Sequence, residues 1–231
     1  MHASTRPTAL VTGATRGIGR AIALELGSTH HVILGGRSAA ALDELAAQLP
    51  SAETWVADLE HDDDLGSFAA GLDRLDVLVH SAGVLGGTTV EKTDRAEWRR
   101  VLEINVVAVA EVTRLALPAL RRAEGTVILI NSGSGFTSSA AGGLYAASKF
   151  ALRALADGLR EEERANGVRV SSVHPGRVDT DMQHELVAAQ NGTYDATQYL
   201  GAQDIADAVR LVVDLPHTAV AESISVRPLR R

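Results

Sequence analysis

The sequence predicts an α/β fold: a single doubly wound parallel sheet of about seven strands with helices on both faces. Three observations lead there. Short β-rich runs alternate with Ala/Leu/Glu/Arg-rich helical stretches along the chain, and strand followed by helix, repeated, calls for right-handed crossovers between parallel neighbours. Most of the strand runs are apolar without alternation, the pattern of strands covered on both faces. No Pro/Ser-rich linker or low-complexity stretch interrupts them, so residues 1–231 are read as one domain. With 45% hydrophobic and 22% charged residues the chain has the apolar material for one buried core.

In order, the strand candidates are Ala9–Val11, Val32–Leu34, Thr54–Val56, Val77–Val79, Val127–Ile130, Val168–Val173 and Ser223–Val226. Helical patterns lie between them at about Gly17–Gly27, Ala39–Gln48, Asp62–Leu72, Asp94–Ala123, Leu144–Asn166 and Gln203–Asp214. The net charge of −7 sets the overall field against nucleic acid and anionic membrane. Without cysteine there is no disulfide framework, thiolate nucleophile or thiolate metal site. The segment from Met1 to Pro7 is short and polar, and no apolar run reaches the length of a membrane span, so the expectation is a cytoplasmic protein.

The first turn, Thr12-Gly13-Ala14-Thr15-Arg16-Gly17-Ile18-Gly19, follows a strand and opens a helix. Glycines there let the backbone turn tightly and approach a pyrophosphate, which sits on the free N–H groups at the positive helix end. Strand before and helix after is the context that a Rossmann-like dinucleotide site demands, although the spacing is G-x-x-x-G-x-G and not G-x-G-x-x-G. After the second strand comes Gly35-Gly36-Arg37-Ser38, with a guanidinium where an NAD site offers a carboxylate to the ribose diol. Arg37, with Arg16 from the glycine turn, would pair with a ribose 2′-phosphate, which favours NADP(H) over NAD(H). Asp58-Leu59 follows the third strand, where the acid could accept a hydrogen bond from the adenine amino group. Glu60-His61-Asp62-Asp63-Asp64 is read as helix capping, with no metal site. The fourth strand ends in His80-Ser81-Ala82-Gly83, where small residues admit something flat and His80 is read as packed.

Tyr145 and Lys149 stand four residues apart in a helical segment, so both leave one face. An ammonium beside a phenol is expected to pull its pKa below the free value of about 10, making Tyr145 an acid/base candidate.

Together these elements resemble the short-chain dehydrogenase/reductase family nearly end to end, from Thr12 to Val226. The matching residues are the Thr12–Gly19 turn, Asp58, Ala82-Gly83, Asn105, Ser132, Tyr145-x-x-x-Lys149 and Pro175-Gly176-Arg177-Val178-Asp179-Thr180. The resemblance implies that Tyr145 delivers or takes the proton and that Lys149 lowers its pKa and holds the nicotinamide ribose. Ser132, thirteen residues before Tyr145, would hydrogen-bond the substrate oxygen, with Ser134 as the rival serine. Asn105 would kink its helix and anchor a water leading from Lys149 to solvent. Ala82 and Gly83 keep a backbone role at the cofactor, and Pro175, Gly176, Val178 and Thr180 would flank the nicotinamide. The implied activity is hydride transfer between NADP(H) and a small carbonyl or secondary alcohol, by a homodimer or homotetramer. A non-catalytic NADP(H)-binding regulator, or an epimerase or dehydratase of the same family, remains an alternative.

Two departures from the family pattern stand out. His80-Ser81 replace its two asparagines, so no role carries over to them. The interval from about 181 to 202, which covers the substrate in this family, is short and mixed, and Met182 or Tyr199 lining a pocket competes with plain packing. The segments Val84–Thr93 and Gly135–Gly143 are rich in Gly, Ala, Ser and Thr, and fold and family do not fix a substrate.

Overall fold

The computed structural model describes residues 6–61, 71–189 and 192–229. In chain order it contains β1 (Thr8–Thr12), α1 (Gly17–Gly27), β2 (His31–Gly36), α2 (Ala39–Ala46), β3 (Ala52–Val56), β4 (Val77–His80), α3 (Arg95–Leu102) and a π-turn (Glu103–Val107). Next come α4 (Ala108–Ala123), β5 (Thr126–Ile130), α5 (Gly143–Glu163), β6 (Arg169–Pro175), α6 (Asp181–Ala189), α7 (Ala202–Val213) and β7 (Ser223–Val226). All seven expected strands form one sheet in the order β3-β2-β1-β4-β5-β6-β7, with every pairing parallel. The expected helix at Asp62–Leu72 and the acids Asp62–Asp64 lie outside the described residues, apart from the last residues of the former.

Strand side chains point alternately to the two faces of the sheet, and here both faces are dry. Ala9, Val11, Val32, Leu34, Val77 and Val79 pack with Ile22 and Leu26 of α1 and Ile205 and Val209 of α7. Leu10, Ile33, Leu78, Val127 and Leu129 pack on the other face with Val112 and Leu120 of α4 and Leu152 and Leu159 of α5. Each such side chain taken out of water contributes about 1.5–3 kcal/mol, which explains why the strand runs read as continuous apolar stretches. Glu163, 2% exposed, accepts two hydrogen bonds from Arg121 at 2.6 and 2.9 Å and ties α5 to α4.

The strand order reverses between β1 and β4, so the connections from these neighbours diverge and leave a crevice at their carboxyl ends. The register pairs Thr12 with His80 at that edge. Two boundaries differ from the sequence reading. The long helix expected at Asp94–Ala123 is broken at Glu103–Val107, where a π-turn carries Asn105, and Asp94 is its cap: its carboxylate accepts from the Glu97 amide at 2.8 Å. The interval 181–202 contains helix α6, which its mixed composition did not announce. No helix among the described residues is long and apolar enough to cross a membrane.

Candidate active site

Two adjoining clefts open at the carboxyl ends of the strands. The first, of about 220 Å³, is lined by Gly13, Thr15, Arg16, Gly17, Ile18, Gly19, Arg37, Asp58, Leu59, Ala82, Gly83 and Thr180, all expected from the sequence. Met182, offered by the sequence as a pocket residue, also lines it, and so do Trp55, Val84 and Ile104, which the sequence reading missed. The second, of about 650 Å³, is lined by Ser132, Ser134, Tyr145, Pro175, Gly176, Val178 and Gln183 among others. Ile18, Thr180 and Met182 line both, so the two spaces are continuous around them. Tyr199 lines neither. It lies against Tyr194, ring centroids 4.9 Å apart, and Tyr194 stacks on His184 at 3.6 Å.

The first cleft is shaped by backbone. Gly13 has φ +66°, and a Cβ there would lie 2.8 Å from the backbone of Ala82; a Cβ on Gly19 would lie 2.2 Å from the Gly13 carbonyl oxygen. Thr12 seals the strand ends: its hydroxyl accepts from the amides of Ser81 (3.1 Å) and Ala82 (3.2 Å) and donates to the Val79 carbonyl (3.4 Å). Helix α1 begins after Arg16 with no side chain capping its free amides and no acid in its first turn. Exposed N–H groups at a positive helix end, beside glycines that keep side chains away, fit a pyrophosphate.

Arg37 is exposed at the rim, with no ion pair among the described residues. Arg16 departs from the expectation that both guanidiniums converge on one phosphate: its Nη1 lies 3.2 Å from Asp181 Oδ2 at the start of α6. Both partners are about two-thirds exposed (65% and 64%), so the pair is worth little and can be exchanged for a better anion. Asp58 is half-buried, and its Oδ1 accepts from the Glu60 amide at 3.1 Å.

The second cleft is shaped by polar side chains. Ser132 lies two residues beyond β5 in an extended conformation, capping the short turn Gly133–Gly135, and its Oγ accepts from the Ser134 amide at 3.1 Å. Its side chain faces the same cleft as Tyr145 and is close enough to favour the ionised phenol. Ser134 also lines the cleft, and its amide is the donor to Ser132 Oγ. Gly135 is required for the approach of this loop to α5: a Cβ there would lie 2.7 Å from Asn131 Oδ1 and 3.1 Å from the Lys149 carbonyl oxygen. Asn131, another residue the sequence reading missed, donates to that carbonyl (3.2 Å) and accepts from the Ser132 amide (2.9 Å).

Lys149 lies beneath Tyr145, only 4% exposed, with Nζ 3.1 Å from the Ile130 carbonyl oxygen and 5.7 Å from the centre of the tyrosine ring. Burial lowers its pKa from 10.5 to about 8, which leaves it mostly charged at neutral pH. The expected depression of the Tyr145 pKa is not found. Desolvation pushes it above its ordinary value, and the influence of Ser132 only partly offsets that. In this state Tyr145 is a phenol, a proton donor.

Asn105 uses the π-turn to reach across to the β4 loop, accepting from the Val84 amide at 2.9 Å and donating to the Val84 carbonyl and to Ser148 Oγ, both at 3.0 Å. Ser148 donates in turn to the Tyr145 carbonyl at 2.7 Å, so the bulge fixes the turn of α5 that carries the phenol. Gly83 leaves this corner open: a Cβ would lie 3.3 Å from Asn105 Oδ1 and 3.8 Å from Lys149 Nζ. His80 is packed as expected, 3% exposed, with Nε2 2.8 Å from Thr113 Oγ1. That hydroxyl already donates to Val109, so Nε2 carries the proton, and burial lowers the His80 pKa to about 3.

The family model for short chain dehydrogenases matches residues 7–191. An uncharacterized oxidoreductase of Staphylococcus aureus strain USA300 is 33% identical, over 99% of this chain and all of that protein. Among solved structures, a metagenomic short-chain oxidoreductase in complex with NADP is 34% identical with a TM-score of 0.82, covering 97% of this chain and 98% of the other. An alcohol dehydrogenase from the archaeon Thermococcus sibiricus, complexed with 5-hydroxy-NADP, has a TM-score of 0.88 at 26% identity, covering 98% of each chain.

Proposed function

The chain belongs to the short-chain dehydrogenase family, and from that premise we propose that it is an NADP(H)-dependent oxidoreductase acting on a small carbonyl or secondary alcohol. The observation that carries this reading is that Ser132 and Tyr145 line one cleft, the larger of the two, with the Nζ of buried Lys149 5.7 Å from the centre of the Tyr145 ring. In the reductive direction both hydroxyls donate to the substrate oxygen, where negative charge grows. The amide N–H given to Ser132 Oγ by Ser134 strengthens that donation, since a hydroxyl that accepts also donates better. Tyr145 then releases its proton to the oxygen, and Lys149 beneath the ring stabilises the phenolate left behind.

The free amides at the start of α1 would hold the pyrophosphate, Arg37 the 2′-phosphate, Asp58 the adenine and Lys149 the nicotinamide ribose. Pro175, Gly176, Val178 and Thr180 would flank the nicotinamide. The cofactor supplies or takes the hydride; the protein supplies geometry, proton and field. Arg16 would reach the 2′-phosphate only on leaving Asp181, so Arg37 carries the preference for NADP(H) in this reading.

The test is to follow NADPH absorbance with a panel of ketones and aldehydes. The wild-type protein is expected to oxidise NADPH, and Tyr145→Phe to lower kcat by about 10²–10⁴-fold, the usual worth of a positioned acid, while still binding NADPH. A Phe variant with wild-type turnover would defeat the mechanism.

A further inference from the structure

His174 was given no role above, yet it touches the catalytic loop directly. It is the penultimate residue of β6, fully buried, with Nδ1 3.1 Å from the carbonyl oxygen of Ser132. Resting on the reading of Ser132 just given, we propose that His174 is a positioning residue for the reaction: its imidazole N–H fixes the Ser132 carbonyl and thereby aims the Ser132 hydroxyl at the substrate oxygen.

A carbonyl oxygen only accepts, so Nδ1 must carry the proton. Burial lowers the pKa of the ring; the bond to Ser132 opposes this, and Arg227 and Arg153 add to it. The ring is therefore neutral and has one N–H, used on Ser132. Its Nε2 is buried with no hydrogen-bond partner among the described residues, so the ring's one hydrogen bond through a side-chain atom is the one to the serine. Leaving Nε2 unpaired is a cost to folding, and an apolar residue would fill the same space without that cost.

The ring is also clamped. Phe136 lies against it with centroids 4.3 Å apart, Arg153 covers the Phe136 ring at 5.0 Å, and Arg227 donates to the His174 carbonyl. The preceding residue of β6 takes the neighbouring position of the loop, with the Val173 carbonyl accepting from the Asn131 amide at 2.7 Å. Strand β6 thus grips Asn131 and Ser132 through consecutive residues. Without His174 the Ser132 carbonyl keeps, among the described residues, only the Gly135 amide, at 3.0 Å, which belongs to the same short turn and moves with it.

The experiment is a double-mutant cycle with His174→Val, which suits a strand but has no donor, and Ser132→Ala, with His174→Asn restoring a donor at the position of Nδ1. We expect His174→Val to lower kcat roughly tenfold to a hundredfold, the scale of a misaimed catalytic group, with KM for NADPH unchanged. His174→Asn is expected to recover most of that loss, and His174→Val to have little further effect in the Ser132→Ala background. Independent losses in the cycle, or an Asn variant as slow as the Val variant, would overturn the proposal. Nitrogen-15 NMR of the unliganded wild-type protein reads the bond without turnover: a slowly exchanging His174 Nδ1–H supports it and an Nε2–H tautomer overturns it. An absence of NADPH oxidation by the wild-type protein would instead count against the function proposed above.

Discussion

The cleft at β1 and β4 is walled largely by backbone, whereas the cleft at β5, β6 and α5 is walled by buried polar side chains. In the first, Gly13 and Gly19 bring main chains so close that a single added carbon would lie 2.2–2.8 Å from backbone atoms. In the second, Asn131 bonds the Ser132 amide and the Lys149 carbonyl, Lys149 bonds the Ile130 carbonyl, and Asn105 bonds Ser148, which bonds the Tyr145 carbonyl, so that side chains hold the turns carrying the site in place. The difference teaches where tolerance lies. Backbone contacts fail by steric overlap whatever the new side chain, while a side-chain network fails by leaving buried groups unpaired or by losing a charge that function needs and stability does not.

The largest expected effect breaks the second region. Lys149→Met should lower kcat by about a hundredfold or more, by removing the charge beneath the phenol. The same change should raise the melting temperature near neutral pH, because the buried ammonium is a cost to folding. The sign follows from the depressed pKa. Between about pH 8 and 10.5 the folded protein has lost a proton that the unfolded chain keeps, so wild-type stability rises with pH across that window. Melting curves should show the advantage of the Met variant shrinking there, and a pH-independent difference would contradict the assignment.

Next in size, Gly13→Ala breaks the first region. The positive φ and the approach to Ala82 together should cost roughly 2–5 kcal/mol, read as a lower melting temperature and weaker NADPH binding. A variant as stable as the wild-type protein would mean that the strand ends can part.

The smallest effect sharpens the comparison, since Arg37 is one of the few side chains asked to do chemistry in the backbone-built cleft. Arg37→Asp should weaken NADPH binding by roughly tenfold to a hundredfold, the worth of a charge-assisted contact, and shift preference toward NADH. Titration of both cofactors checks it, and equal use of both by the wild-type protein would remove Arg37 from the site.

Much of the site was legible because its residues sit where local rules place them. Tyr145 and Lys149 share a helix face at four-residue spacing, and the glycine turn lies between a strand and a helix. Asn131, Ser148 and His174 were not legible. Each acts on another residue's main chain, and nothing in a side chain's identity tells which carbonyl or amide it meets. The pairing of Arg16 with Asp181 was hidden for the same reason, as the partners are far apart in sequence. The direction of the Tyr145 pKa differed from the expectation because spacing gives proximity to Lys149 but not how deeply the phenol is buried, and desolvation is the larger influence.

By itself the sequence determined the seven-stranded parallel sheet and the places where the chain needs glycine, since hydrophobic pattern and backbone sterics act over a few neighbouring residues. Only the tertiary structure decided which buried groups hold Ser132, which carbonyl the ammonium meets and whether the phenol keeps its proton, because these depend on desolvation and on contacts between strands and helices distant in the chain.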